Sequence, residues 1–376
     1  MTVAPRFRVL LVDDDAAVVA GLRNVLRADR DRWSVRIAEG AEPALALLAQ
    51  EPADVVVTDM RMPGSSGLEL LERILAEWPA TARVLLSGWS DISTITRAGT
   101  VAHRYLVKPC DAETLRAELA GIEAVQAILP DPRLRAALGV LRSLPSSPST
   151  LESLRNLPED PDARTRAIAA AVETDVALAT RLLQFVSSPS FGSPRPVTGL
   201  RAALDLIGPS LLREIASLLE PLGTSSRLPG AAESLVRLER HARTASRLAR
   251  FLATDEVAAD PASTAALLHD AGRLALLSRL PVPYADALRR SDGSGRTLEA
   301  CEQEVLGANH ARIGAYLLGL WGLPASIVEA VARHHDERAL EDDGLVGVVA
   351  KANLLAHQAD VSARSAPGVA LSRSHP

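Results

Sequence analysis

The chain has 376 residues, 47% of them hydrophobic and only 3% aromatic, so Leu, Val, Ile and Ala must fill its core. That length exceeds one ordinary core, so two domains are expected, and a formal charge of −5 argues against a protein whose main task is holding nucleic acid. Two cysteines, Cys110 and Cys301, supply no disulfide framework; no run reaches the roughly 20 apolar residues of a membrane span, and the N-terminus lacks a signal peptide's apolar core, so a cytoplasmic protein is expected.

Five short apolar runs come first: RVLLV (8–12), SVRIA (34–38), DVVVT (54–58), RVLLS (83–87) and RYLV (104–107). Such runs are typical of parallel strands covered on both faces. Helical patterns lie between them, among them GLELLERILAEW with Leu68, Leu71, Ile74 and Leu75 on one stripe. The alternation predicts a doubly wound α/β domain with a five-stranded parallel sheet. Ligands of such sheets bind at the carboxyl ends of the strands. There the chain places Asp13, Asp14 and Asp15, then Asp59, Ser87 and Lys108. Clustered carboxylates repel one another without a cation, and this set suits Mg2+, which takes few carboxylates and keeps its waters. Lys108 is one of only two lysines; every other basic residue is arginine. An ammonium on a flexible stem can follow a carboxylate and then a phosphoryl oxygen, which a planar guanidinium does less well.

Residues 7–122 thereby resemble a response-regulator receiver domain of the flavodoxin-like kind. The resemblance implies Asp59, in VVVTDMRMPGSSG, as acceptor of phosphate from a histidine kinase. It implies Asp13, Asp14, Asp59 and the Arg61 backbone carbonyl as Mg2+ ligands. Ser87 becomes the switch hydroxyl, Lys108 the phosphate-binding lysine and Tyr105 the switch aromatic. Phosphate adds charge and acceptor oxygens that Ser87 and Lys108 can follow inward, with Tyr105 remodelling the face of the fourth helix, fifth strand and fifth helix.

The helix DAETLRAELAGIEAVQAIL (111–129) starts at an Asp111 cap, and the receiver is expected to end near 125 (1–124). A helical linker follows (125–149), with Pro and Ser at 145–149 marking a loop. From 150 strand signals almost vanish, and an all-α output domain (150–362) with a disordered tail (363–376, with His375) is expected. Gly208-Pro209 and Gly322-Leu323-Pro324 read as stop and restart signals. No basic recognition helix stands out, so neither DNA nor a membrane is expected as partner, and RLERHARTASRLAR (237–250) reads as a solvated charged face.

His241, His269, His310, His334 and His335 recur through this half, with Asp270 directly after His269. On one helix, neighbours splay by roughly 100°, so His269 and Asp270 would flank a metal from two sides. Imidazole and carboxylate together suit Fe, Mn or Zn. ALLHDAGRLALL with these histidines resembles the HD superfamily of metal-dependent phosphohydrolases. Over 135–360 the similarity is to the HDOD domain, carried by SLPSSPSTL, ETDVALATRLLQFVSSPSFG, EVLGANHARIGAYLLGLWGLP and VARHH. HDOD resemblance implies a regulatory scaffold acting on a downstream signalling protein, and admits a homodimer. HD resemblance implies a phosphohydrolase, for example on a cyclic dinucleotide. The chain departs from both patterns. Asn353 stands where active HD enzymes carry a later aspartate, with His357 and Asp360 as alternatives, and HHDERALEDDGLVG replaces the GYP signature. Ser187 and Val176 replace the usual HDOD Asn and Pro.

Overall fold

The computed structural model describes residues 6–88, 100–188, 191, 196–221 and 230–365. The stretch 89–99, where the receiver resemblance expects the fourth helix, and the tail from 366, with His375, lie outside them. Helix numbers below count described helices only.

The apolar runs form β1 (Phe7–Val12), β2 (Trp33–Ala38), β3 (Val55–Asp59), β4 (Ala82–Ser87) and β5 (Arg104–Val107). They pair in parallel in the order β2-β1-β3-β4-β5. Helices α1 (Ala16–Leu26), α2 (Ala41–Gln50), α3 (Gly67–Glu77) and α4 (Ala112–Ile128) cover the sheet. Each starts for a local reason. Asp15 and Asp111 accept the amides of Ala17 and Thr114, and Ser66 and Glu69 form a reciprocal capping box at α3. Alternate strand residues feed two apolar layers. Leu10, Val12, Val56, Leu85 and Tyr105 face α2 and α3. Val9, Leu11, Val57, Val84 and Leu106 face α4, in a core continuous with the second domain. Each such side chain contributes on the order of 1.5–3 kcal/mol on leaving water.

Helix α4 runs unbroken past the expected boundary at 125. The linker is part of the core: Leu129, Leu134, Leu138, Leu141 and Leu144 are all buried. It carries α5 (Pro132–Gly139), and the expected loop at 145–149 is instead ordered. Pro145–Ser146 forms β6, and Pro148 opens the next helix. The physical reason is a Ser-Pro pair: Ser147 caps with its hydroxyl while Pro148 takes the first helical position, where no N–H is needed. Past 150 strands almost vanish as expected: among the described residues only β7 (Glu220–Pro221) is a strand there, and it pairs in parallel with β6.

The rest is helical: α6 (Pro148–Arg155), α7 (Pro161–Val172), α8 (Val176–Val186), α9 (Leu200–Leu206), α10 (Pro209–Ser217), α11 (Ala231–Leu252), α12 (Glu256–Leu268), α13 (Ala271–Arg279), α14 (Pro281–Ser291), α15 (Leu298–Leu306), α16 (His310–Leu320), α17 (Ala325–Arg333) and α18 (Leu345–Ser365). Both Gly/Pro breaks fall between helices as expected, and α18 extends three residues into the expected tail. Among the described residues no helix is long and apolar enough to cross a membrane.

Candidate functional sites

At the carboxyl edge of the sheet, Asp13 and Asp59 are buried while Asp14 is exposed. One oxygen from each lies within 4.8 Å of the others. The Lys108 Nζ bridges two of them, 2.6 Å from Asp13 Oδ2 and 2.8 Å from Asp59 Oδ1. Burial would lower the Lys108 pKa, but its bonds to Asp13 and Asp59 outweigh that and hold it above its ordinary value. Ser87 ends β4, one residue past the partner of Asp59, and its hydroxyl donates to the Gly88 carbonyl at 3.0 Å. The Arg61 amide donates to Asp59 Oδ2 at 3.2 Å. Gly67 is required where the chain turns back, because a Cβ there would sit 1.9 Å from the Asp59 carbonyl oxygen. Three carboxylates against one ammonium leave negative charge to spare, and this donor set fits a hard divalent cation.

Tyr105 stands apart from this pocket. It is buried at 2% exposure, its hydroxyl has no hydrogen-bond partner among the described residues, and burial raises its pKa. It borders a cavity of about 20 Å³ between the domains, shared with Gln184, Ser187 and Trp321.

In the helical domain the expected histidines converge, joined by His357. Ring centroids lie 5.2 Å apart for His241–His269, 4.9 Å for His269–His334, 4.0 Å for His334–His335, 4.9 Å for His310–His335 and 4.3 Å for His241–His357. His269 and Asp270 do not splay on one helix. His269 ends α12, Asp270 precedes α13, and the break lets His269 Nε2 approach Asp270 Oδ2 to 3.6 Å. His310 Nε2 comes within 3.3 Å of Asp270 Oδ1.

Two buried imidazole nitrogens, His269 Nε2 and His334 Nε2, lack any hydrogen-bond partner among the described residues. Their other nitrogens are tied to the carbonyls of Ala266 and Val331 at 2.6 and 2.7 Å. Burial pushes His269 down to about 4 and His334 well below its ordinary value, so both are neutral at pH 7. Neutral imidazoles with one nitrogen anchored and the other free beside a carboxylate fit a transition-metal ligand set. Two features weigh the other way. Arg273 Nη1 lies 3.0 Å from Asp270 Oδ2, and it outweighs burial to hold that carboxyl well below its usual range together with the imidazoles. Asn353 Oδ1 meets His241 Nε2 at 3.0 Å, so an amide takes the place of a carboxylate. Asp360 sits behind, on His241 Nδ1 at 3.0 Å.

Sequence reasoning missed Glu302. It is fully buried, and one oxygen accepts from the His310 amide at 2.8 Å and meets His310 Nδ1 at 2.6 Å. It also missed Glu299, 3.0 Å from His335, and Arg273 with Tyr284. The available signal was the spacing of Glu299 and Glu302, three apart on one helical face just upstream of His310. A cavity of about 260 Å³ opens beside the cluster, lined by Arg237, Arg240, His241, Arg273, Tyr284 and His357 among others.

Comparison with known proteins follows the same division. The response regulator receiver domain model matches residues 9–120, and the HDOD domain model matches 144–337. The chain is 34% identical over 105 residues to the hydrogenase transcriptional regulatory protein HoxA of Cupriavidus necator, covering 27% of this chain and 21% of that one. It is 27% identical over 219 residues to an uncharacterized protein of Treponema pallidum, covering 56% and 42%. Among solved structures it is similar to the MmoQ response regulator of Methylococcus capsulatus, at 30% identity and a TM-score of 0.49, covering 60% of this chain and 90% of that one. The chain spans less than half the length of the two curated relatives just given.

Proposed function

The chain belongs to the HDOD-domain family, with a response-regulator receiver ahead of that domain, and from this premise we propose that phosphate on Asp59 controls the helical domain as an interaction module. A response regulator of a two-component system works through its receiver, and a histidine kinase is the expected phosphate donor. The nitrogen–phosphorus bond of the donor histidine breaks as an Asp59 oxygen–phosphorus bond forms. Bound Mg2+, held by Asp13, Asp14, Asp59 and the Arg61 carbonyl, would supply charge neutralisation at the phosphoryl oxygens. Lys108, already on Asp59, is placed to follow a phosphoryl oxygen, and the Ser87 hydroxyl to donate to another. The observation that carries this reading is the Lys108 ammonium bridging Asp13 and Asp59 at 2.6 and 2.8 Å. The proposed division is a receiver over 1–124, a helical linker over 125–149 whose first residues continue α4, an output domain over 150–362 and a tail over 363–376, in the cytoplasm.

The test is intact mass after incubation with acetyl phosphate and Mg2+. One phosphoryl adduct is expected on the native chain and none on Asp59→Asn. An unmodified native chain refutes the proposal.

A second reading is a metal-dependent phosphohydrolase. The His269 and His334 Nε2 atoms, without a hydrogen-bond partner among the described residues, favour it. Bound Fe, Mn or Zn would supply an activated water there. Asn353 and the Arg273–Asp270 pair make the scaffold the preferred reading.

A further inference from the structure

The two candidate sites share one rigid element. Helix α16 begins at His310, inside the histidine cluster, and ends at Leu320 against the receiver. Eleven residues span about 16 Å.

Its far end is held by Arg104, the first residue of β5 and the neighbour of Tyr105. The Arg104 Nη2 donates to the Gly319 carbonyl at 2.6 Å and its Nε to the Leu320 carbonyl at 3.4 Å. Those carbonyls are among the last four of the helix; that of Gly319 also accepts from the Gly322 amide at 3.0 Å, and a cation there meets the negative end of the helix dipole. Glu118 of α4 fixes the same guanidinium at 2.6 Å. Helix α4 packs along the flank. A Cβ on Gly319 would come 2.6 Å from Val125 Cγ2, so the two helices are as close as a glycine allows. Nearer the other end, Arg312 donates to the Ile128 carbonyl of α4 through Nη2 and Nε, at 2.7 and 3.2 Å.

The near end is equally constrained. A Cβ on Gly272 would lie 1.9 Å from the His310 carbonyl oxygen, so α13, which follows Asp270, bears directly on the first turn of α16. Glu302 holds the His310 amide and ring. A shift along α16 therefore moves His310 relative to Asp270 and His335. A close-packed helix moves as a body, and displacements of 1–2 Å are the usual currency of such switches.

We propose that α16 is a coupling rod: the Arg104 clamp transmits the state of the receiver to the position of His310, and through it to the metal affinity of the histidine cluster. Arg104 acts as a positioning residue; it touches neither Asp59 nor the cluster. Coupling of this kind is reciprocal, so metal in the cluster changes the stability of the Asp59 adduct by the same factor. The inference rests on the reading of Asp59 as the switch, and its test separates the two.

The experiment uses the full chain. Zn2+ affinity is measured against a chromophoric chelator, with and without beryllofluoride and Mg2+, and amide exchange is followed at 311–313. On the native chain beryllofluoride should change the Zn2+ Kd by about 5-fold or more. Arg104→Ala should bring that ratio to about one and, without beryllofluoride, should speed exchange at 311–313. Arg104→Lys, which keeps the charge and loses the fork, should fall between and serves if the alanine variant does not fold. If no beryllofluoride adduct forms yet the Arg104 variant alters exchange at 311–313, the reading of Asp59 fails and the rod stands. If the cluster takes no Zn2+ in either state, the proposal is overturned, because there is then no metal affinity for the rod to change. Unchanged exchange at 311–313 in the Arg104 variant overturns the proposal, as does an unchanged Zn2+ ratio with an adduct formed.

Discussion

Gly272→Ala tests whether the histidine cluster depends on one close crossing. The added Cβ would stand 1.9 Å from the His310 carbonyl oxygen and 2.7 Å from the Gly314 amide nitrogen. Ordinary van der Waals contact begins near 3.4 Å, so α13 and α16 must part by more than an ångström. Both opposing atoms are backbone, so no rotamer change relieves the clash. Overpacking a tight core costs typically about 1–3 kcal/mol, and the absence of side-chain relief puts this case at the top, about 3 kcal/mol. For a domain of this size that lowers the melting temperature by roughly 6–12 °C. The control is Gly21→Ala in α1, where a Cβ meets nothing within 4 Å. There the same change should stabilise, by up to about 1 kcal/mol, because alanine loses less backbone freedom on folding. Thermal and urea unfolding of both variants read the comparison. A loss below about 1 kcal/mol for Gly272→Ala would refute the packing argument.

Glu239, on α11, has its pKa pushed up to about 7 by burial and then by the nearby Asp175 carboxylate. Below pH 4.5 it is protonated in both states; as pH rises to about 7 the unfolded chain ionises first and native stability is lost. Glu239→Gln should therefore stabilise at pH 8 and not at pH 4.5, by about 1–2 kcal/mol once partial solvent screening is allowed for; an equal effect at both pH values would contradict this. Arg83 is buried, with no carboxylate on its guanidinium among the described residues; it donates to the carbonyls of Val101, Gly139 and Thr81. Burial lowers it to about 10, still charged at pH 7. Arg83→Met strands those carbonyls and should cost about 3 kcal/mol in urea unfolding; a loss under 1 kcal/mol would show that water replaces it. His269→Ala should remove bound transition metal, read by elemental analysis of the purified chain, and equal metal content in variant and native protein would exclude this nitrogen as a ligand.

Much of the receiver was legible because its determinants are local. Continuous apolar runs mark strands buried on both faces, and a parallel sheet delivers their next residues to one edge, so Asp13, Asp59, Ser87 and Lys108 could be placed together by counting. Helix starts were legible where Asp or Ser precedes a helical run. The Ser147-Pro148 start was misread as a loop because proline signals both a turn and a first helical turn, and only burial of Pro145 and Ser146 decides between them. His269 and Asp270 were placed on one helix because local periodicity carries no mark of the break between α12 and α13.

The sequence by itself determined the two-domain order, the acidic strand ends and the recurrence of histidines, since each follows from residue type and short-range spacing. Only the tertiary structure decided that imidazoles from α11, α16, α17, α18 and the α12–α13 junction meet, that Glu302 anchors His310, and that Arg104 caps the helix bearing it. Those contacts join residues up to 216 positions apart. They depend on how closely helices approach, which glycines such as Gly272 and Gly319 permit and no local pattern reveals.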